Sequence, residues 1–299
     1  MKLLTDFDGV LTDIAPEARR YRAAFEARLA LLAPGGAAEV AEILGAAERA
    51  CAEAPHAHGW RSGERISAFF DEDLFIRVHG LAARLDDDAD RDVAGPRRLR
   101  AAAGGAFKRV ATAAYAEAMA ETASGAVRPL DPDAAPFLRA TLDAGVDVTV
   151  VSNSSTERIL ALLRAAGLPA VAHGAGAGRL RVRGDARKFE LGDDPRGFRA
   201  LAAGAYEVAV DRPRYEAILR DKAPDAVMGD VFSLDLAAPL ALRRDGAAGL
   251  DRVRLLLRRR PYTPAWALAF LAAEASGFWT PVDRLPDASA FLRRPSSAT

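Results

Sequence analysis

The chain has 299 residues, 50% of them apolar and 27% charged, with 41 basic and 41 acidic side chains that cancel to zero. That composition supports a sizeable buried core, and the balanced charge points to neither a nucleic-acid nor an anionic-membrane partner. The single cysteine, Cys51, excludes an intrachain disulfide and suits a reducing compartment. No stretch reaches the eighteen or so apolar residues of a membrane span. Two aspartates stand where the apolar region of a signal peptide would run. The expectation is a soluble, cytoplasmic protein. Lysine is scarce, with Lys2, Lys108, Lys188 and Lys222 set against an abundance of arginine, so each retained lysine draws attention.

Taken in order, the chain opens with Leu3 and Leu4, a short apolar run leading to Asp6-Phe7-Asp8-Gly9 and on to Asp13. Helical spacing follows at Tyr21, Phe25, Leu29 and Leu32, is broken at Pro34-Gly35-Gly36, and resumes through Val40, Ile43 and Leu44 to about Pro55. His56 to Gly63 reads as a loop. Ile66, Phe69, Phe70 and Leu74, continued by Val78, Leu81 and Leu85, predict another helix. The acidic run Asp86–Asp92 with Gly95-Pro96 predicts an exposed break, and a further helix covers roughly Phe107 to Thr122. The block 15–125 is therefore expected to be helical throughout, without a strand.

From about residue 127 the pattern alternates. A helix from Pro136 ends at Gly145, and the β-branched run Val146–Val151 suits a buried parallel strand. A helix over Thr156–Ala166, a hairpin within 179–191, and a strand over Tyr206–Val210 are expected next. Pro213–Asp221 predicts a helix, and Ala226–Gly229 and Val253–Leu257 predict strands. Thr263 and Pro264 then supply an N-cap and a first-turn proline for a last helix. Strand–helix alternation argues an α/β fold with a doubly wound parallel sheet, whose ligands bind at the carboxyl ends of the strands. Asp6, Ser152 and Asp230 each follow an apolar run immediately, so all three are placed at that edge.

Two carboxylates one residue apart, just beyond a strand with Gly9 freeing the turn, can divide labour between a nucleophile and an acid/base. The plain alternative, a strand ending in a polar turn, uses the same residue types. The convergence of three strand ends favours the chemical reading. Other motifs carry less. Trp60 and Arg61 fit a surface loop; His56 and His58 lack further ligands at metal spacing. Gly174–Gly178 falls short of a dinucleotide fingerprint because Arg179 takes the last glycine's place. Arg258-Arg259-Arg260 fits a solvated strand end.

On these residues the chain resembles the haloacid dehalogenase (HAD) superfamily, and its phosphatase-like members in particular. Leu3 through Asp13 match the first motif, which implies Asp6 as nucleophile and Asp8 as general acid/base beside Gly9. Val148-Thr-Val-Val-Ser152-Asn153 matches the second, implying Ser152, with Asn153 adjacent, as a donor to the transferred phosphoryl group. Gly229-Asp230 with Asp235 matches the last, implying Mg²⁺ held by Asp6, the backbone carbonyl of Asp8, Asp230 and Asp235; oxygen ligation is what Mg²⁺ prefers. The third motif departs from the usual Lys-Pro pair. Arg212-Pro213 stands there, ahead of a helix N-terminus that is itself an anion site, so Arg212 is the first candidate for the phosphate-steadying base and Lys188 the second.

The resemblance implies a core domain from 1–14 and 126–299, with a helical cap inserted at 15–125. The function implied is a Mg²⁺-dependent phosphohydrolase of a small phosphorylated metabolite, working through an aspartyl-phosphate. A phosphomutase or a non-catalytic binder of phosphorylated ligands remains as an alternative. Dehalogenation needs neither the metal nor the second carboxylate of the first motif, and a phosphonatase would need Lys108 as its cap lysine.

Overall fold

Lys2–Thr5 forms β1, buried from Leu3 onward. The structure is a computed structural model and describes residues 1–123, 130–193, 199–274 and 277–292. After β1 come α1 (Ala15–Ala30), α2 (Gly36–Glu53), β2 (Gly59–Ser62), β3 (Arg65–Phe69), α3 (Leu74–Asp90), α4 (Ala94–Ala102) and α5 (Phe107–Ala123). The remainder runs α6 (Ala134–Asp143), β4 (Asp147–Val151), α7 (Thr156–Ala165), β5 (Ala170–Ala172), β6 (Leu180–Arg183), β7 (Ala200–Ala203) and β8 (Tyr206–Ala209). It ends with α8 (Pro213–Lys222), β9 (Ala226–Gly229), α9 (Ala237–Arg244), β10 (Arg254–Arg258), α10 (Ala265–Ala272), β11 (Trp279–Val282) and α11 (Leu285–Leu292). The chain divides into two compact units, Met1–Asp13 with Arg128–Thr299, and Ile14–Val127. The expected second domain boundary, at 125–126, lies outside the described residues. Among the described residues no helix is long and apolar enough to cross a membrane.

The first unit is built on a seven-stranded sheet in the order β11-β10-β9-β1-β4-β6-β5. Every pairing in it is parallel. The expected doubly wound α/β sheet is thus present. Its central strands are apolar on both faces because helices cover both: Leu3, Val148, Val150, Ala226, Met228 and Leu256 share one buried cluster with Phe137, Ile159 and Leu163 of the helices. Register aligns the strand ends. Thr5 sits opposite both Val150 and Met228, so the residues that leave β1, β4 and β9 emerge side by side.

Three expectations in this unit need correction. Residues 179–191 do not form a hairpin: Leu180–Arg183 joins the sheet as an outer parallel strand, and 184–191 turn back as a loop. The alternation of Leu180 and Val182 marks a strand with one face in the core, which a hairpin and an outer parallel strand share. The strand over 206–210 is real but pairs with β7 in a separate antiparallel ribbon. Thr263 is not a side-chain cap for α10; its hydroxyl accepts instead from the Arg260 backbone N–H at 2.8 Å.

The second unit packs α1, α2, α3 and α5 around Tyr21, Phe25, Leu44, Leu81, Leu85 and Phe107, with alanines where helices meet closely. It is not wholly helical. Gly59–Ser62 and Arg65–Phe69 pair as an antiparallel hairpin, where the three- and four-residue spacing of Ile66, Phe69 and Phe70 suggested a helix. The turn at Gly63, with φ +60, and the aromatic and β-branched residues decide for strands. A Cβ at Gly59 would lie 2.0 Å from the Ala68 carbonyl oxygen, so only glycine permits that approach. Helix α3 then begins at Asp73, whose carboxylate accepts from the Phe75 and Ile76 N–H groups at 2.6 and 3.0 Å. The acidic run is not a break. Leu85 and Ala89 continue the buried stripe, while Asp88 pairs with Arg84 one turn back at 3.0 Å. Helix α4, unexpected from the sequence, follows it.

Candidate active site

At the carboxyl edge of the sheet, Asp6 leaves β1, Ser152 leaves β4 and Asp230 leaves β9. The Asp6 N–H donates to the Met228 carbonyl at 2.8 Å, which ties the first motif to the last. After Asp230 the chain makes one π-helical turn, Phe232–Leu236, an irregularity frequent at functional sites. That turn carries the Asp235 side chain back over the strand end, where its Oδ2 accepts from the Asp230 and Val231 N–H groups at 3.2 and 3.1 Å. Gly229 is required there, because a Cβ would meet the Asp235 Cβ at 2.1 Å.

Gly9 is required twice over. Its φ is +80, and a Cβ would sit 1.9 Å from Asp230 Oδ2 and 2.8 Å from the Tyr262 hydroxyl. That hydroxyl donates to Asp230 Oδ2 at 2.8 Å. Arg260 holds the same turn from outside, donating to the Gly9 carbonyl at 2.5 Å and the Thr12 carbonyl at 2.9 Å. Arg258, also turned inward, pairs with Asp131 at 3.1 Å. The triple arginine is thus not simply a solvated strand end; Arg260 braces the first motif and Arg258 is buried against Asp131.

Lys188 and Arg212 exchange the places expected of them. The Lys188 ammonium lies 2.7 Å from Asp6 Oδ1 and 2.5 Å from Asp235 Oδ1, fully inside the protein. Arg212 is also completely buried, but its Nη1 donates to the Lys188 carbonyl at 2.5 Å. It therefore braces the lysine's backbone and is not the cation beside Asp6. The loop after β6 explains the exchange. Asp185 and Arg187 adopt positive φ, and the Asp185 and Ala186 N–H groups donate to the Ser154 and Ser152 carbonyls, each at 3.0 Å. The Lys188 N–H donates to Asn153 Oδ1 at 2.7 Å. Asn153, expected against substrate, thus anchors the loop that delivers Lys188. A Cβ at Gly184 would fall 2.2 Å from the Thr156 nitrogen, so the close approach of the two loops depends on it.

Asp8 faces a different set of partners. Its Oδ2 accepts from the Ser152 hydroxyl at 3.2 Å and the Ser154 hydroxyl at 2.6 Å, and its Oδ1 faces Arg158 Nη1 at 3.4 Å. Sequence reasoning passed over Tyr262, Ser154 and Arg158. Hydroxyl and arginine residues on a helix or loop carry no distinguishing pattern, although Ser154 sits only two residues beyond Ser152.

Asp6, Asp230 and Asp235 offer carboxylate oxygens within 4.8 Å of one another, all buried. Burial, the largest effect, pushes the Asp6 carboxyl up to about 8; the Lys188 charge opposes this, while Asp235 and Asp8 add to it. Burial also works against the Lys188 ammonium, but Asp235 and Asp6 outweigh it and hold the lysine above its ordinary value. Three buried carboxyl groups crowd one ammonium, and the rise at Asp6 follows from burial and that crowding. That donor set, all oxygen, fits a hard divalent cation. A cavity of about 520 Å³ lies elsewhere, among Leu142, Leu168, Leu180, Arg164 and Arg179 at the β5–β6 edge, and shares no residue with this cluster.

A family model described as haloacid dehalogenase-like hydrolase matches residues 3–210, more than half of the chain, ending before Asp230 and Asp235. No curated protein matches it. Among solved structures, a 2-haloacid dehalogenase from Pseudomonas syringae pv. Tomato is 16% identical, covering 97% of each chain with a TM-score of 0.42. A HAD family hydrolase from Deinococcus radiodurans, with bound phosphate and sodium, is 20% identical, covering 97% of this chain and 94% of its own, with a TM-score of 0.42. A haloacid dehalogenase-like hydrolase from Xanthomonas campestris is 13% identical over 98% of this chain and 90% of its own, with a TM-score of 0.44.

Proposed function

The chain belongs to the haloacid dehalogenase-like hydrolases, and from that premise we propose that it is a Mg²⁺-dependent phosphohydrolase of small phosphorylated metabolites. The observation that carries this reading is the pairing of two carboxylates with different surroundings. Asp6 is buried against Lys188 and two further acids, whereas Asp8 is partly exposed among hydroxyl donors. Dehalogenation calls for neither Asp8 nor the acidic cluster, and a charge cluster without a task is costly to bury.

In the proposed reaction a carboxylate oxygen of Asp6 attacks phosphorus while the bond from phosphorus to the ester oxygen breaks. Asp8 gives its proton to that leaving oxygen, so the alcohol departs neutral. Asp8 then takes a proton from water as the water oxygen attacks phosphorus of the aspartyl-phosphate, releasing inorganic phosphate and restoring Asp6. Lys188 holds the attacking carboxylate in place and adds positive charge beside the transferred group. Asp6, Asp230 and Asp235, with the Asp8 backbone carbonyl, would hold Mg²⁺, which supplies charge neutralisation between carboxylates and phosphate. Ser152, and not Arg212, is the further donor proposed for a phosphoryl oxygen. The reaction is placed in the cytoplasm, where Cys51, buried and unpaired, stays a thiol.

The test is phosphate release from p-nitrophenyl phosphate and a panel of sugar and nucleotide phosphates, with Mg²⁺ or EDTA, beside Asp6→Asn. Release that needs both Mg²⁺ and Asp6 is expected. Release that survives Asp6→Asn, or halide release from 2-haloacids in EDTA, would overturn the reading. Phosphate moved between positions of one sugar without release would favour a mutase.

A further inference from the structure

We propose, resting on that hydrolase reading, that Arg158 is a positioning residue for the proton-transfer carboxylate, acting on Asp8 chiefly through Ser154. Arg158 Nη1 donates to the Ser154 hydroxyl oxygen at 2.5 Å, and that hydroxyl lies 2.6 Å from Asp8 Oδ2. A guanidinium only donates, and a serine hydroxyl has one hydrogen. With its oxygen accepting from Arg158, Ser154 points that hydrogen at Asp8 Oδ2. The Ser152 hydroxyl donates to the same oxygen at 3.2 Å. The Ser154 hydrogen thus occupies Oδ2 whether or not Ser152 turns its own to a phosphoryl oxygen, and the guanidinium faces Oδ1 at 3.4 Å. The arginine therefore holds the carboxyl group from both oxygens, directly at Oδ1 and through Ser154 at Oδ2, and fixes its rotation for proton transfer.

The mounting is rigid. Arg158 lies in the first turn of α7, where the Ser155 hydroxyl caps its N–H at 3.3 Å, and Ile159, Leu162 and Leu163 of the same helix are buried in the core. Groups that must hold a proton in register are best carried on such an element. The arginine side chain itself is 28% exposed, so it reaches solvent and is not part of the helix's buried face.

The test compares kcat/KM, which reports the steps through phosphoryl transfer to Asp6, for the native chain, Arg158→Gln and Arg158→Lys with Mg²⁺. The substrates are substituted phenyl phosphates, from 2,4-dinitrophenyl to unsubstituted phenyl. A dinitrophenolate departs without a proton, whereas phenol requires one. Arg158→Gln is expected to lose about tenfold or more on phenyl phosphate and less than about threefold on the dinitrophenyl ester, with partial recovery in Arg158→Lys. A structural role would lower every ester alike. Equal losses across the series in a folded variant, judged by its thermal midpoint, or no loss at all, would overturn the proposal. If Arg158→Gln fails to fold, Arg158→Lys and Ser154→Ala give the same slope. A native chain that releases no phosphate from any ester would instead overturn the hydrolase reading, and this inference with it.

Discussion

The two compact units bury different things. At the sheet edge of the first, Asp6, Lys188, Arg212, Asp230 and Asp235 are buried together. Lys188 pairs with Asp6 and Asp235, Asp230 takes the Tyr262 hydroxyl, and Arg212 holds the Lys188 carbonyl. The second unit buries aromatic and aliphatic side chains with Ala47, Ala82, Ala111, Ala114 and Ala118 between its helices. Its buried acids include Glu72 and Asp73, which serve the backbone: Glu72 accepts from the Phe69 N–H at 2.9 Å, and Asp73 caps α3. A buried ion cluster contributes little net stability after desolvation, whereas a capping carboxylate contributes about 1 kcal/mol. The first unit thus buries charge at a cost in stability, and the second uses its acids to cap and tie backbone.

The largest test of that contrast is Asp6→Asn. Turnover should fall by at least about 10⁴-fold, as for loss of any attacking group. Stability should move the other way. The folded Asp6 carboxyl is raised from 3.8 to about 8, so the unfolded chain loses this proton first as pH rises. The ionisable group therefore weakens the cation-free fold increasingly between those two values. Asn removes that dependence, and at pH 7 in EDTA the variant is expected to melt at or above the native midpoint. A midpoint several degrees lower would show the cluster to be a stabilising one and break the contrast.

Much of the site was legible because it follows from where strands end. Asp6, Ser152 and Asp230 each close an apolar run, and parallel register then aligns them without further instruction. Asp235 was readable from its distance along the chain, although the π-helical turn that folds it back was not. Lys188 was harder. It reaches Asp6 through a loop with two non-glycine residues at positive φ and hydrogen bonds to the second motif, and tertiary pairing of that kind leaves no periodic trace. Position before a helix favoured Arg212; scarcity of lysine was the better signal. In the helical unit, Ile66, Phe69 and Phe70 satisfy the helical period and a short hairpin equally well, and Gly59 and Gly63 were the residues that separate the two.

Glycines sharpen the comparison. Gly9 and Gly36 both hold positive φ, +80 and +61, but a Cβ at Gly36 meets nothing within 4 Å, while one at Gly9 strikes Asp230 and Tyr262. Gly36→Ala should cost about 1 kcal/mol of backbone strain and leave Mg²⁺ binding unchanged. Gly9→Ala should cost about 2–3 kcal/mol and abolish measurable Mg²⁺ binding, since Asp230 must move. Chemical denaturation and calorimetric titration read the two effects. Equal losses of stability with Mg²⁺ binding retained in both would mean that the first-motif turn is set by conformation alone. Tyr262→Phe is gentler: it deletes the 2.8 Å hydrogen bond to Asp230 and should weaken Mg²⁺ binding about tenfold. Unchanged affinity would remove Asp230 from the proposed ligand set or Tyr262 from its support.

The smallest effect belongs to the helical unit. The His79 ring packs tilted against Trp60, 3.8 Å between centroids, and its Nε2 lies 3.3 Å from the Tyr21 hydroxyl. Burial, and to a lesser degree the Lys108 charge, pushes the imidazole from 6.5 down to about 3, so the folded ring stays neutral where the unfolded one takes a proton. A depressed histidine stabilises the fold fully above 6.5, and the contribution drains away as pH falls toward 3. At pH 5.5 the loss should reach about 1 kcal/mol. Other groups contribute to any pH effect, so the quantity to measure is the difference between the native chain and His79→Phe, which keeps the ring packing but has no proton to gain. Urea unfolding of both at pH 7.5 and pH 5.5 should show the native chain losing about 1 kcal/mol more than the variant. Parallel losses would mean that the ring accepts its proton in the folded state, and that the second unit, too, carries a titratable group accessible to water.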